Sequence, residues 1–376
     1  MLRKIYLILC LWLVSLSALA QTPPPVVEVL DGLDPVMLSQ GKETQGELQI
    51  AVTRGRFKYL FVNAENKAVF EKDPARYEIQ LGGHCARMGA PVTGNPNLFT
   101  VHQGRAYIFG SEDCKKQFEA APGKYLEPER AKPVAATPDS LQKGQALIAK
   151  TVAAMGGAEK IDGLMSYHEK STSWQRRQQG EVEVKHNLLL AYPDRLRHER
   201  VMPDYRDPSV QMKQALIVTA GEAFGIGGPR GTFPIREGDK AAEASEVQRK
   251  PLSLLRARRE AGFQAIAMGT AMIGTTTVEQ VALTGIGGEV VIGIEPTTGR
   301  LFSLTQQRRG PDGSFGKFVQ TFDDYRAVDG LLLPFKITAT FDGQPWKEQS
   351  AQIEEIVING KVEPALFERP KSEKPQ

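Results

Sequence analysis

Sulfur and imidazole are the groups of the N-terminal region best suited to chemistry. Cys85 follows Gly82, Gly83 and His84, with Met88 close behind and His102 farther on. Cys114 stands three residues after Ser111, in the first turn of an expected helix, where aligned peptide dipoles favour a thiolate. Three states suit this set. A disulfide between Cys85 and Cys114 would close a loop of about 30 residues and contribute about 3 kcal/mol. Alternatively His84, Cys85 and Cys114 could hold a metal, for which soft sulfur with imidazole favours copper or zinc over magnesium or calcium. Two unpaired thiols are the third state. There is no CxxC spacing, so thioredoxin-like exchange is not expected.

Other catalytic patterns are missing. The five histidines form no HExxH, and the chain has no GxSxG and no Walker lysine loop, so no catalytic residue is assigned and an enzyme is not the favoured class. The run from Gly225 to Gly231 is rich in glycine, but Pro229 removes an amide donor and no Lys-Ser/Thr follows, which leaves a hairpin loop. His186 falls in the apolar row of its strand and reads as a hydrogen-bonded core histidine, whereas His168 and His198 are expected at the surface. Arg249, Lys250, Arg256, Arg258 and Arg259 make a basic helical run, either a solvated face or a docking surface for an acidic partner or lipid headgroup. With 47 basic and 44 acidic residues over the chain, nucleic-acid binding and a polybasic membrane anchor are not expected.

These residues must be positioned by two segments. Residues 1–20 read as a signal peptide: Arg3 and Lys4, an apolar run from Ile5 to Val14, and the exit Ala18-Leu19-Ala20. No transmembrane segment is expected after its removal. From Phe57 to Tyr77 and from Arg105 to Tyr125 the chain repeats itself, matching Tyr59 with Tyr107, Phe61 with Phe109, Phe70 with Phe118 and Pro74 with Pro122. Each copy predicts a short strand, a cap at Asn63 or Ser111, about two turns of helix and a proline stop. One copy cannot bury its own face, so the two are expected to pack into a small α+β module. A proline-containing linker, 127–139, precedes a helix capped by Thr137 with Leu141, Ile148, Val152 and Met155 on one face. Beyond it the pattern alternates, Val182, Val184, His186, Leu188 and Leu190 in one row and Phe335, Ile337, Ala339 and Phe341 in another. Turns at 296–299, 311–313 and 328–330 mark successive hairpins. The stretch 239–260 is the helical interruption, with Leu252, Leu254 and Leu255 buried.

The segment 27–126 resembles a YHS domain through Asp34-Pro35-Val36, the unit from Phe61 to Tyr77, Gly82-Gly83-His84-Cys85, and the second unit around Phe109 and Cys114. That resemblance implies metal handling. Where metal-binding relatives carry a first cysteine after the strand-ending Phe, this chain has Gly110, and Met37 follows Asp-Pro-Val, so a full site is in doubt. The segment 140–370 resembles the periplasmic outer-membrane lipoprotein carriers through Ala153-Ala154-Met155-Gly156-Gly157, the stretch Tyr192 to Arg197, and the stretch Asp324 to Ile337. It implies a mainly antiparallel, unclosed barrel around a helix, holding acyl chains.

The fold expected is therefore an α+β YHS-like module followed by a lipoprotein-carrier-like β domain. A periplasmic binding protein for a lipophilic ligand or lipidated partner is the leading reading, with a cavity lined by Val182, Val184, Leu188, Leu190, Phe335, Ile337 and Phe341. A metal-binding or redox-sensing protein acting through the first module is the alternative. Sequencing the N-terminus of the exported protein should give Gln21 as the first residue; an intact Met1 in the membrane fraction would refute the cleaved signal.

Overall fold

The computed structural model describes residues 25–90, 92–126, 135–177, 180–228, 231–235, 237–286 and 289–370. The expected signal peptide and most of the expected linker lie outside these residues. The chain divides into two compact units, one running to Ile79 with Val101–Ala106 added, the other made of Gln80–Thr100 and the chain from Tyr107 onward.

In the first unit β1 (Val27–Glu28), α1 (Pro35–Ser39), β2 (Glu47–Arg54), β3 (Phe57–Phe61), α2 (Ala64–Lys72) and α3 (Pro74–Tyr77) follow one another, with the sheet ordered β1-β3-β2. Asp34 explains part of this arrangement. Fully buried, its carboxylate accepts from Val36 and Met37 N–H to cap α1, and from Val62 N–H and the Asn66 amide to tie α1 to the β3–α2 turn. Asp34-Pro35-Val36 is thus a structural cap. Tyr59 and Phe61 each meet the ring of Phe70, at 4.9 and 5.2 Å between centroids.

β4 (Asn95–His102) and β5 (Arg105–Phe109) form a two-stranded sheet, followed by α4 (Glu112–Ala120) and α5 (Pro122–Tyr125). β5, α4 and α5 reproduce β3, α2 and α3 at the constant spacing of the sequence repeat, and Ser111 caps α4 as Asn63 caps α2. Tyr107 and Phe109 meet Phe118 at 5.4 and 5.2 Å. Each copy therefore closes its own aromatic cluster, and the copies fall in different units apart from the start of β5. A single YHS-like module built from both copies is not supported. The aromatic matches reflect one element pattern used twice.

The rest of the second unit opens with α6 (Pro138–Ala154) and α7 (Ala158–Asp162); Thr137 and Ser140 form the capping box of α6, and Ile148, Val152 and Met155 are buried. Five strands then meander: β6 (Ser166–Arg177), β7 (Gly180–Ala191), β8 (Arg195–Pro203), β9 (Gln211–Val218) and β10 (Ala223–Gly227), with β11 (Thr232–Pro234) pairing on β10. β10 and β11 pair antiparallel, as the expected hairpin requires, and Pro229 and Arg230 of the glycine-rich stretch lie outside the described residues. Two helices interrupt, α8 (Glu237–Gln248) and α9 (Pro251–Arg256), the latter burying Leu252, Leu254 and Leu255. A second meander follows through β12 (Gln264–Ile273), β13 (Thr276–Thr284), β14 (Val290–Ile294), β15 (Leu301–Arg309), β16 (Phe315–Val328) and β17 (Leu331–Phe341), whose hairpins occupy the three predicted turns. β18 (Gln344–Pro345) pairs with β17, and β19 (Ala351–Ile358) inserts between β6 and β17.

The result is a 14-stranded antiparallel sheet with β11 and β12 at its two ends, unclosed as expected. One face is apolar because alternate residues along each strand point the same way. That face meets α6 and α9 in one large cluster that includes Met155, Leu190, Leu255, Phe322 and Phe335.

Gly144 sets how close α6 can come. A Cβ built there would lie 2.2 Å from the Ala265 carbonyl oxygen on β12, and that backbone cannot swing aside. In a free helix Gly→Ala gains about 1 kcal/mol, whereas overpacking costs about 1–3 kcal/mol. Gly144→Ala should therefore lower the melting temperature; a rise would show that helix and strand are not in close contact.

Candidate functional site

A cavity of about 360 Å³ lies in the second unit, between the sheet and the α8–α9 segment. Val184, Leu188, Met202, Val247, Phe322 and Ile337 give it an apolar wall. Its polar lining comes from β6 (Glu169, Ser171, Ser173), β7 (His186), β8 (His198, Arg200) and the helical segment (Glu243, Glu246, Arg249, Lys250). The sheet register dictates this grouping. His186 stands opposite Arg200 and Leu188 opposite His198, so the inward row of β7 brings the inward row of β8 with it.

Four side chains form a connected chain. Ser173 Oγ lies 2.8 Å from His186 Nε2, His186 Nδ1 lies 3.0 Å from His198 Nε2, and His198 Nδ1 lies 2.9 Å from a Glu243 oxygen. Glu243 also pairs with Arg200. Burial opposes the ionised Glu243, but the His198 hydrogen bond and the charges around it outweigh burial and hold its carboxyl below the ordinary range. An ionised carboxylate only accepts, and with both imidazoles uncharged the direction of every bond in the chain follows from it. His198 donates from Nδ1, leaving Nε2 to accept from His186 Nδ1; His186 Nε2 is then a lone pair, and the Ser173 hydroxyl donates to it. Arg200 Nη2 sits 3.4 Å from His198 Nδ1, too far to compete with the carboxylate for that nitrogen. His186 is held uncharged, at about 3, by burial first and then by His198, Arg200 and Lys250, with Glu169 opposing.

At the α8–α9 junction Lys250 places its ammonium 2.8 Å from both oxygens of Glu169, a residue 2% exposed on β6. Tyr167 and Ser171 donate to the same carboxylate at 2.5 and 3.1 Å. Burial would raise the Glu169 carboxyl, yet Lys250 and these donors lower it on balance. The basic run turns inward, contrary to either sequence expectation: Arg249 is 5% exposed, Arg256 donates to the Leu164 carbonyl at 2.7 Å, and Arg258 pairs with Asp162 at 2.7 Å. Buried acceptors on β6 and α7 explain the difference. Arg259, at the end of the run, is exposed.

The predicted cavity residues divide. Val184, Leu188 and Ile337 line the cavity, and Leu190 with Ile337 borders a much smaller void of about 10 Å³. Phe335 and Phe341 are buried elsewhere, the latter edge-on to Trp346 at 5.7 Å, and Val182 is half-buried. His186 is the hydrogen-bonded inward histidine expected. His198, expected at the surface, has a side chain only 13% exposed because the β7–β8 register turns it inward. His168, half-buried, bonds Asn187.

Cys85 and Cys114 are both buried and free, within one cluster with Phe109 and Phe118. Burial raises the Cys114 thiol, but hydrogen bonds from Ser111, Arg87 and Cys85 and the Arg87 charge lower it overall. Arg87 Nη1 lies 3.8 Å from its sulfur. His84 Nδ1 is buried without a hydrogen-bond partner. Among the described residues no group of three or more His, Cys, Asp or Glu side chains is placed to hold a metal.

No protein-family model and no curated protein matches this chain. Solved structures are similar to part of the chain: a DUF1329 family protein from Desulfovibrio piger (12% identity, TM-score 0.39), a LolA superfamily protein from Nitrosomonas europaea (11%, 0.38), and a domain described as a putative outer membrane lipoprotein-sorting protein domain from Vibrio parahaemolyticus (9%, 0.37). Each match covers 60% of this chain and 97% of the other. Likeness at this level leaves the functional argument to the cavity. Among the described residues no helix is long and apolar enough to cross a membrane.

The His186 environment makes stability depend on pH. Unfolded, the imidazole binds a proton below about 6.5; folded, it does so only near 3. Between these values the unfolded state holds the extra proton, so stability falls as pH falls, and loss of the Glu243 pairing adds to the fall at lower pH. Melting temperature should drop between pH 6.5 and 4, and His186→Asn should flatten that slope. An unchanged slope in the variant would refute a buried, uncharged His186.

Proposed function

We propose that this protein is an exported, periplasmic binding protein whose second unit holds an amphipathic ligand in the cavity under α8 and α9. The supporting observation is the cavity itself. Its volume, about 360 Å³, falls in the range of small-molecule pockets, and apolar lining meets a convergent polar end. An alkyl chain against Val184, Leu188, Met202, Phe322 and Ile337 gains about 0.8 kcal/mol for each buried methylene. The polar end favours an uncharged head. Glu169 faces Lys250, Glu243 faces Arg200 and His198, Glu246 faces Arg249, and Glu348 accepts from Arg176 N–H, so each carboxylate on the lining already has a donor. A ligand ion would have to displace one of these pairs, whereas an ester, amide or hydroxyl head needs only hydrogen bonds.

The mature chain should bind a fluorescent fatty-acid ester saturably. Met202 lies on the apolar wall and is half-buried, outside both polar clusters. Met202→Arg should weaken binding at least tenfold while leaving the melting temperature within a few degrees. No saturable binding by the unaltered chain would remove this reading.

A further inference from the structure

The Ser173–His186–His198–Glu243 chain is more ordered than binding requires. Ser173, His186, His198 and Glu243 are joined in sequence by contacts of 2.8, 3.0 and 2.9 Å, and with both imidazoles uncharged the serine hydroxyl donates to an imidazole lone pair. This is the relation between a nucleophile, a base and the group that orients the base, with a second imidazole inserted between base and carboxylate. Ser173 is buried, lines the cavity, and stands on the β6 row that also carries Glu169 and Ser171.

We infer that Ser173 is a nucleophile for acyl transfer and that the cavity takes a medium-chain acyl ester, with His186 as general base and His198 and Glu243 as positioning residues. The inference rests on the cavity being the ligand site. Ser173 Oγ bonds to the ester carbonyl carbon as its proton passes to His186 Nε2. Collapse of the tetrahedral intermediate breaks the bond from that carbon to the alcohol oxygen, which takes the proton from His186 Nε2 and leaves as the alcohol. Water then attacks the acyl-serine, giving a proton to His186; the acyl–Oγ bond breaks, Oγ regains the proton, and the acid is released. Both half-reactions balance with water alone.

The surroundings suit this chemistry in one further respect. Arg249 and Lys250 line the same cavity, and Arg200 adjoins the histidines. Their positive field disfavours a standing imidazolium but favours the negative charge that develops on the carbonyl oxygen. The His198–Glu243 pair offsets the first effect by drawing the His186 Nδ1 proton toward itself, so the two imidazoles and the carboxylate spread the charge taken from serine.

The test uses the full mature chain and an octyl fluorophosphonate, read by intact mass and peptide mapping. One covalent adduct is expected on Ser173 and none in Ser173→Ala, whose melting temperature should stay within a few degrees of the unaltered chain. His186→Gln should slow labelling at least a hundredfold. Glu243→Gln should slow it less and alter the pH profile of labelling, a change that a purely structural role would not produce. No Ser173 adduct under conditions where the ester probe still binds would overturn the nucleophile while leaving the binding reading intact. Labelling of Ser173 at an unchanged rate in His186→Gln would overturn the role of the base. An adduct on Ser173 without saturable ester binding would support the nucleophile and overturn the acyl-ester cavity together with the binding reading.

Discussion

The buried pair of Glu169 and Lys250 is the contact on which the cavity depends. An ionised carboxylate that is 2% exposed would be costly alone, by several kcal/mol, because no water compensates it. Here an ammonium reaches both oxygens while Tyr167 and Ser171 also donate to the carboxylate, so its lone pairs are occupied. The pair fixes the turn between α8 and α9 over β6. Arg256 and Arg258 extend the same fastening to the backbone after α7 and to Asp162, and the leucines of α9 fill the space beside it. With the junction held, α8 must run across the sheet, and Glu243 is delivered to His198 and Arg200. Polar contacts place the cover; apolar burial supplies most of the stability.

The cavity lies where the sheet is least continuous. Two meanders, β6 to β11 and β12 to β17, are joined by β19, which pairs with β6 over several residues but with β17 only at Lys336 and Ile337. The register with β19 ends at Thr172, so the inward residues beyond it, Ser173 and Gln175, have β7 on one side and the 347–349 turn on the other. A continuous sheet would fill that position with a neighbouring strand and its side chains. The gap admits Gln320, Gln349 and Ser350 to the lining instead. The opening therefore follows from chain topology: the last strand must enter between two meanders already built, and its pairing with the second is short.

Much of this fold was legible in the sequence. Thr137 before Pro138, the period of Ile148 and Val152, the alternating rows of β7 and β17 and the three turn motifs each specify local structure through short-range rules, and the structure follows them. The repeat was legible too, down to its caps at Asn63 and Ser111, whereas the YHS-like module drawn from it is not supported, because internal similarity reports the element pattern and says nothing about which surfaces meet. His198 was misplaced for a simpler reason. Read alone, its strand looks polar; paired through the turn at 192–194, it must lie opposite Leu188, and the inward row of β7 then carries it inside. That signal was present in the turn position. Glu243 had no such signal, since its partner lies 45 positions away and the contact exists only once α8 is fastened across the sheet.

The polar chain also bears on why the cavity is not a simple grease pocket. Ser173, His186, His198 and Glu243 could in principle be replaced by apolar side chains of similar volume with little loss of stability, since buried ionic and hydrogen-bonded groups roughly break even against well-packed hydrophobic ones. As placed, they make the folded protein sensitive to acid, because His186 resists the proton that the unfolded chain would take. A fold that needed only to store alkyl chains gains nothing from that arrangement. A network that is fully connected, unidirectional and open to a cavity at its serine end has a use only where a proton must move or a head group must be read. In the proposed reading, the donors already held by the lining carboxylates favour an uncharged polar group, and the apolar wall beside them suits an alkyl chain attached to it.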